Sequence, residues 1–265
     1  MLRVYLIQTD SSKGSKAENL ARAKGLILDA NPSEGNLILL PEMFATGYIP
    51  VSLDAAAEDF NSRDSGETAN MLSEVASATN CTVMGAGIKK AGNKFLNHVS
   101  VYTPSTPKES CAYDKMNLFF PEKETFKAGQ EINLFNIKDW KIASFICYDL
   151  RFPELFREAT KQGANLITVQ AAWPAKRRAH WETLIKARAI ENQVYIAAVN
   201  AASTHPDTRH PFAGTSLIIS PNGDVIAQGS AQSEEVITAE LDLQAEKDYR
   251  KSFPVLDGIV PPELM

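Results

Sequence analysis

Apolar runs and their spacing divide the chain into short β-prone segments separated by amphipathic ones. Strand patterns cover residues 4–8, 36–40, 82–88, 98–103, 142–147, 166–170 and 195–200. Two more, 215–220 and 225–228, flank Pro221-Asn222-Gly223-Asp224, a sequence suited to a hairpin turn. Helical patterns cover 17–30, 68–78, 153–162 and 178–192, the first ending before Asn31-Pro32. In the last, Trp181, Leu184, Ile185 and Ala189 fall at helical spacing and are assigned to the core. Alternating strands and helices with hairpins among them predict an α/β fold with a mixed sheet. No low-complexity linker, composition break or internal repeat divides the chain, so residues 1–265 read as one domain.

Composition narrows the function. With 265 residues, 44% of them hydrophobic, the chain can bury a substantial core. A net charge of -5 argues against a general nucleic-acid binder. Cys81, Cys111 and Cys147 offer no disulfide framework and fit a reducing compartment. The start, Met-Leu-Arg-Val-Tyr-Leu-Ile-Gln, lacks the features of a signal peptide. No apolar run approaches the roughly 18 residues a membrane helix needs. The expectation is a cytoplasmic protein with neither a membrane nor a nucleic-acid partner.

The candidate chemistry sits at strand ends. The apolar run 142–146 stops at Cys147, and Pro153 follows at a position suited to the first turn of a helix. A cysteine at a strand exit, facing amide donors near a helix start, is placed as activated thiols are. A small buried hydrophobe is the competing reading. Residues 36–40 form a near-continuous apolar run of the doubly buried kind, ending at Glu42. Apolar neighbours favour burial and a raised pKa there over a solvated glutamate. Lys115 ends a third such run; a lysine snorkelling to the surface is its alternative. A carboxylate can take a thiol proton, a thiolate can attack a carbonyl carbon, and an ammonium can stabilise the oxyanion. The three residues are thus complementary parts of a covalent hydrolase, if the fold brings them together.

Other chemistries are less well supported. A Cys–His hydrolase would need His98, His180, His205 or His210, and none shows an orienting partner in the sequence. Lys115 as a Schiff-base lysine lacks a phosphate-cradling loop, since Gly85-Ala86-Gly87 lies in a strand pattern and reads as close packing. Cysteines and histidines lack metal-ligand spacing, so neither a metal nor a cofactor is expected. A catalytically inactive binding protein would more naturally lack one of the three groups. Lys176-Arg177-Arg178 reads as a solvated helix start rather than a site for an anionic partner.

The blocks Leu40-Pro41-Glu42, Tyr113-Asp114-Lys115 and Ile146-Cys147-Tyr148-Asp149-Leu150-Arg151 resemble, in order, the signatures of the nitrilase superfamily of carbon–nitrogen hydrolases. The resemblance implies a four-layer αββα sandwich with mixed sheets, a Glu42–Lys115–Cys147 triad and a homodimer. It also implies a second active-site glutamate at Glu122, with Glu124 as the fallback. Cys147 to Pro153, Trp173-Pro174-Ala175, His180-Trp181-Glu182 and the stretch from Ala187 to Gln193 are most similar to the omega-amidase branch. That branch hydrolyses the terminal amide of short 2-oxo dicarboxylate monoamides such as 2-oxoglutaramate. Amidases of deaminated glutathione or N-carbamoyl compounds share parts of these blocks and remain alternatives.

On this reading Glu42 is the base, Cys147 the nucleophile, and Lys115 with the Tyr148 N–H the oxyanion donors. Glu122 orients Lys115 or the substrate amide. Arg151 is a candidate for the substrate carboxylate, against an ion pair with Asp149 or Glu154. Trp173 is either a pocket wall or a core residue, and Tyr48 could belong to a lid.

Overall fold

The computed structural model describes residues 1–11, 14–61, 66–204 and 210–259. One sheet has the order β12-β1-β2-β3-β4-β5. Its strands are β1 (Leu2–Gln8), β2 (Leu37–Leu39), β3 (Thr82–Ala91), β4 (Lys94–Tyr102), β5 (Cys111–Asp114) and β12 (Glu235–Leu241). The second has the order β11-β10-β9-β8-β7-β6. It comprises β6 (Leu134–Ile137), β7 (Trp140–Ile146), β8 (Leu166–Ala171), β9 (Tyr195–Asn200), β10 (Leu217–Ile219) and β11 (Val225–Gln228). Each sheet has a parallel centre, β1-β2-β3 or β7-β8-β9, and antiparallel flanks.

The two-residue period of a strand sorts these side chains between two cores. Val4, Leu6, Leu37 and Leu39 point toward the second sheet, while Tyr5, Ile7, Ile38 and Leu40 point the other way. The latter set meets Leu20, Ala23 and Ile27 of α1 (Lys16–Asp29) and Leu72 and Val75 of α3 (Glu67–Thr79). The short α2 (Leu53–Ala56) lies against β3. Outside the second sheet lie α4 (Pro153–Lys161) and α5 (Arg178–Asn192), with Phe156, Trp181, Ile185 and Ala189 buried. The result is the expected four-layer αββα sandwich. Gly85-Ala86-Gly87 is close packing, as expected, because a Cβ on Gly87 would stand 2.6 Å from the Phe60 ring.

The expected strands and helices form with ends shifted by a few residues. The strand predicted over 142–147 stops at Ile146, which leaves Cys147 as the first residue beyond it. Strands β6 and β12 and helix α6 (Leu243–Ser252) go unannounced in the apolar pattern. The strands lie at sheet edges with half-exposed residues, and α6 is mostly charged, so none carries a strong apolar period. Among the described residues no helix is long and apolar enough to cross a membrane.

Candidate active site

Strand exits from both sheets converge on one buried spot. Glu42 lies three residues past β2, Lys115 directly follows β5, Cys147 directly follows β7, and Ala172 directly follows β8. Glu42, Lys115 and Glu122 have no exposed surface. The Lys115 ammonium donates to Glu42 Oε1 and to Glu122 Oε1, each at 2.9 Å. Asn97, on β4, spans the same two oxygens, its Nδ2 donating at 2.7 Å to Glu42 and 2.9 Å to Glu122. The remaining carboxylate oxygens take main-chain donors: Ala172 N–H to Glu42 Oε2 at 2.9 Å, and Phe119 N–H to Glu122 Oε2 at 2.7 Å. The Cys147 thiol neighbours the Glu42 carboxylate and the Ala172 amide.

The electrostatics follow from this crowding. Burial pushes the Cys147 thiol well above its ordinary pKa, and the neighbouring Glu42 adds to the effect, so the resting sulfur is protonated. Burial opposes the Lys115 charge, yet the Glu42 and Glu122 carboxylates outweigh it and hold the ammonium protonated. Burial raises the Glu122 pKa despite the Lys115 charge beside it.

The backbone at Cys147 has a φ of 44°, in the left-handed region that L-residues seldom occupy. Asp149, fully buried, clasps this elbow. It accepts from Ile146 N–H at 3.1 Å, the Tyr113 hydroxyl at 2.8 Å and Asn117 N–H at 2.8 Å. The elbow on the second sheet is thereby tied to the turn that carries Lys115 on the first. Burial raises the Asp149 pKa to about 6.

A cavity of about 690 Å³ opens onto Cys147, with Tyr48, Tyr148, Arg151 and Trp173 among its walls. Arg151 makes no ion pair with Asp149 or Glu154. Its guanidinium stacks 4.6 Å from the Trp173 ring centre and 5.7 Å from that of Tyr148, with Nη1 3.4 Å from His180 Nδ1. Trp173 is both wall and core, nearly buried, with its indole N–H donating to Arg177 O at 2.9 Å.

Cys147, Tyr148, Arg151 and Trp173 thus line one cavity, with Glu42, Lys115 and Glu122 in a buried cluster beside Cys147, whereas Glu124 is exposed. Two sequence-based expectations change. Lys176 and Arg177, read as a solvated helix start, line the cavity. His98, read as lacking a partner, has its ring nitrogens 2.6 Å from Asp114 Oδ1 and 2.7 Å from Glu109 Oε1, on the face of β4 opposite Asn97. His205 lies outside the described residues. Asn97 and Ala172 escaped the sequence reading. Asn97 sits in an ordinary strand pattern, with only its place within reach of Lys115 to mark it, and Ala172 contributes only a main-chain amide.

Known proteins carry the same architecture. The chain matches the carbon–nitrogen hydrolase family over residues 3–251. It is 34% identical to a 2-oxoglutaramate amidase of Bacillus subtilis, over 97% of this chain and 96% of that protein. It is 32% identical to omega-amidase NIT2 of Danio rerio, over 96% of this chain and 92% of the relative. The crystal structure of Saccharomyces cerevisiae Nit3, a member of branch 10 of the nitrilase superfamily, superimposes with a TM-score of 0.86 at 28% identity, covering 96% of this chain and 94% of that one. Sequence and fold agree: the chain belongs to the carbon–nitrogen hydrolase family of the nitrilase superfamily and is a hydrolase of carbon–nitrogen bonds.

Proposed function

We propose that the protein is an omega-amidase that releases ammonia from the terminal amide of a short carboxylate-bearing acid of the 2-oxoglutaramate type, through a cysteine thioester. The observation that carries this reading is the clustering of a protonated thiol, a neighbouring carboxylate and a buried ammonium, with the thiol opening onto one cavity. The names of the relatives from Bacillus subtilis and Danio rerio support the substrate class.

Glu42 takes the thiol proton on Oε2, which has a lone pair to spare beside the Ala172 amide, while Oε1 stays committed to Lys115 and Asn97. The Cys147 sulfur attacks the amide carbon. An ammonium has three donors, and Glu42 and Glu122 use two of them, which leaves the third for the oxyanion. The Tyr148 N–H, the first amide past the nucleophile, is the second oxyanion donor. Glu42 then returns the proton to the departing nitrogen, ammonia leaves, and the acyl group stays on sulfur as a thioester. A water deprotonated by Glu42 adds to the thioester carbon, and collapse of that adduct frees the acid and restores the thiol. Glu122 positions Lys115, and Arg151 binds the substrate carboxylate as a fork whose rear face rests on Trp173. A homodimer belongs to this reading, and light scattering of the purified protein tests it.

The direct experiment incubates wild type and Cys147→Ala with 2-oxoglutaramate and follows ammonia, with mass spectrometry of the quenched enzyme. Expected are turnover and a Cys147 acyl adduct in wild type, and neither in the variant. Ammonia release that persists without the thiol would sink the covalent mechanism.

A further inference from the structure

The cavity is much larger than the proposed reaction needs. A five-carbon monoamide packed at normal density fills roughly a quarter of its 690 Å³. The rest is neither featureless nor neutral. Arg151, Lys176 and Arg177 line it, and among the described residues no carboxylate does, in a chain of net charge -5. Concentrating cations at one opening against the overall charge is how a protein draws anions to a site.

The cations differ in depth. Arg151 is half-buried against Trp173 and Tyr148, Arg177 is half-buried, and Lys176 is exposed at the mouth. Neither Lys176 nor Arg177 pairs with a carboxylate among the described residues. The turn that carries them is fastened on both sides. The Trp173 indole donates to Arg177 O, Ala175 N–H donates to Pro211 O at 2.8 Å, and Ala213 N–H donates to Trp173 O at 2.8 Å. Apolar Phe119, Pro174 and Phe212 share the lining with these cations, as does His210.

We infer that Lys176 and Arg177 form an outer anion subsite, and that the enzyme also hydrolyses longer terminal amides carrying a second carboxylate beyond the first, across an apolar spacer. This deepens the omega-amidase reading and rests on it for the position of the amide. The carboxylate nearer the amide pairs with Arg151, and the distal one reaches the Lys176–Arg177 turn. The scissile bond and the leaving ammonia are unchanged.

The test compares N-succinylglutamine with N-butanoylglutamine, which share the primary amide, the first carboxylate and similar length but differ in the distal charge. Expected is kcat/KM about fivefold higher for the succinyl compound, with the ratio falling toward one in Lys176→Gln/Arg177→Gln and at high salt. Calorimetric binding of both compounds to Cys147→Ala should give the same preference without turnover. Equal kcat/KM for the two compounds, a ratio that survives the double substitution, or no turnover of the succinyl compound by an enzyme active on 2-oxoglutaramate would each overturn the subsite. Loss of the omega-amidase reading shows differently, as failure on 2-oxoglutaramate itself while the binding preference persists.

Discussion

Lys115 has no exposed surface, and its ammonium is 2.9 Å from each of two carboxylates that are themselves buried. Removing its one cation would leave two buried carboxylates with no counter-charge. Lys115→Met should therefore do two separable things. Ammonia release should fall by about 10²–10³ through loss of an oxyanion donor. Thermal or denaturant unfolding should also show a loss of about 3 kcal/mol, because Glu42 and Glu122 are left facing each other. Glu42→Gln removes the base and keeps the shape, so activity should drop by about 10²–10⁴ with little change in stability. Wild-type turnover in that variant would remove Glu42 from the mechanism. Glu42, Lys115 and Cys147 were legible in the sequence because each interrupts an apolar strand with a reactive group. Glu122 was marked only by the family resemblance, since by pattern alone Phe120-Pro121-Glu122-Lys123-Glu124 reads as loop surface, and the fold buries one glutamate and exposes the other.

Between residues and fold, the hairpin of β4 and β5 is the element that matters most. Asn97 and Lys115 face the buried Glu42 and Glu122 carboxylates; beside them His98 and Asp114 pair directly across the ladder on the opposite face. Lys115 N–H donates to Asn97 O at 2.9 Å, which continues the register into the site. His98 is nearly buried between Asp114 and Glu109, and only the imidazolium can donate to both. Burial opposes that charge, but the two carboxylates outweigh it and raise the pKa above its ordinary 6.5. A histidine with a raised folded pKa adds stability that is complete below the unfolded pKa and is lost as pH rises through the folded one. His98→Asn should thus cost about 2 kcal/mol near pH 6, and its deficit against wild type should shrink in alkaline urea titrations. A deficit that holds constant across that range would mean the ring acts by packing alone.

Gly129 guards the other side of the same turn. Its N–H donates to Lys115 O at 2.9 Å, and a Cβ there would stand 2.1 Å from Asp114 O. Gly129→Ala must push the Lys115 backbone aside, so kcat should fall by about tenfold or more while the protein remains folded by circular dichroism. The strands of this hairpin were visible in the apolar pattern, but its clamp was not. His98 and Glu109 are eleven residues apart and become neighbours only when the ladder pairs. The same holds for α3, whose first turn is capped not by its own N-cap, Gly66, but by the distant Glu58 carboxylate, which accepts from Thr68 N–H at 3.0 Å.

At the scale of the whole molecule, periodicity told most of the story. Doubly buried runs such as 36–40 and 166–170 became the parallel centres of the two sheets, because covered strands must be apolar on both faces. Edge strands and the last helix were faint because half their residues face water. The cationic turn at 175–177 was misjudged for a related reason. Charges before a helix are usually solvated, and only the fold around Trp173 and Pro211 brings these to the cavity wall.

Glu42 and Lys115 ride on one sheet, while Cys147 and Ala172 ride on the other, and the slab between them is mostly apolar side-chain packing: Leu6, Leu39, Ile142, Leu166 and their neighbours. Nothing covalent holds the base opposite the thiol. A slip of about 1 Å between the sheets would part them while leaving every strand intact. The catalytic rate is therefore a ruler laid across the sandwich. Cavity-forming changes far from the site, such as Leu166→Ala, should depress ammonia release at urea concentrations where far-ultraviolet dichroism is still native. Enzyme in which the two signals vanish together would have its halves locked more firmly than side-chain packing accounts for.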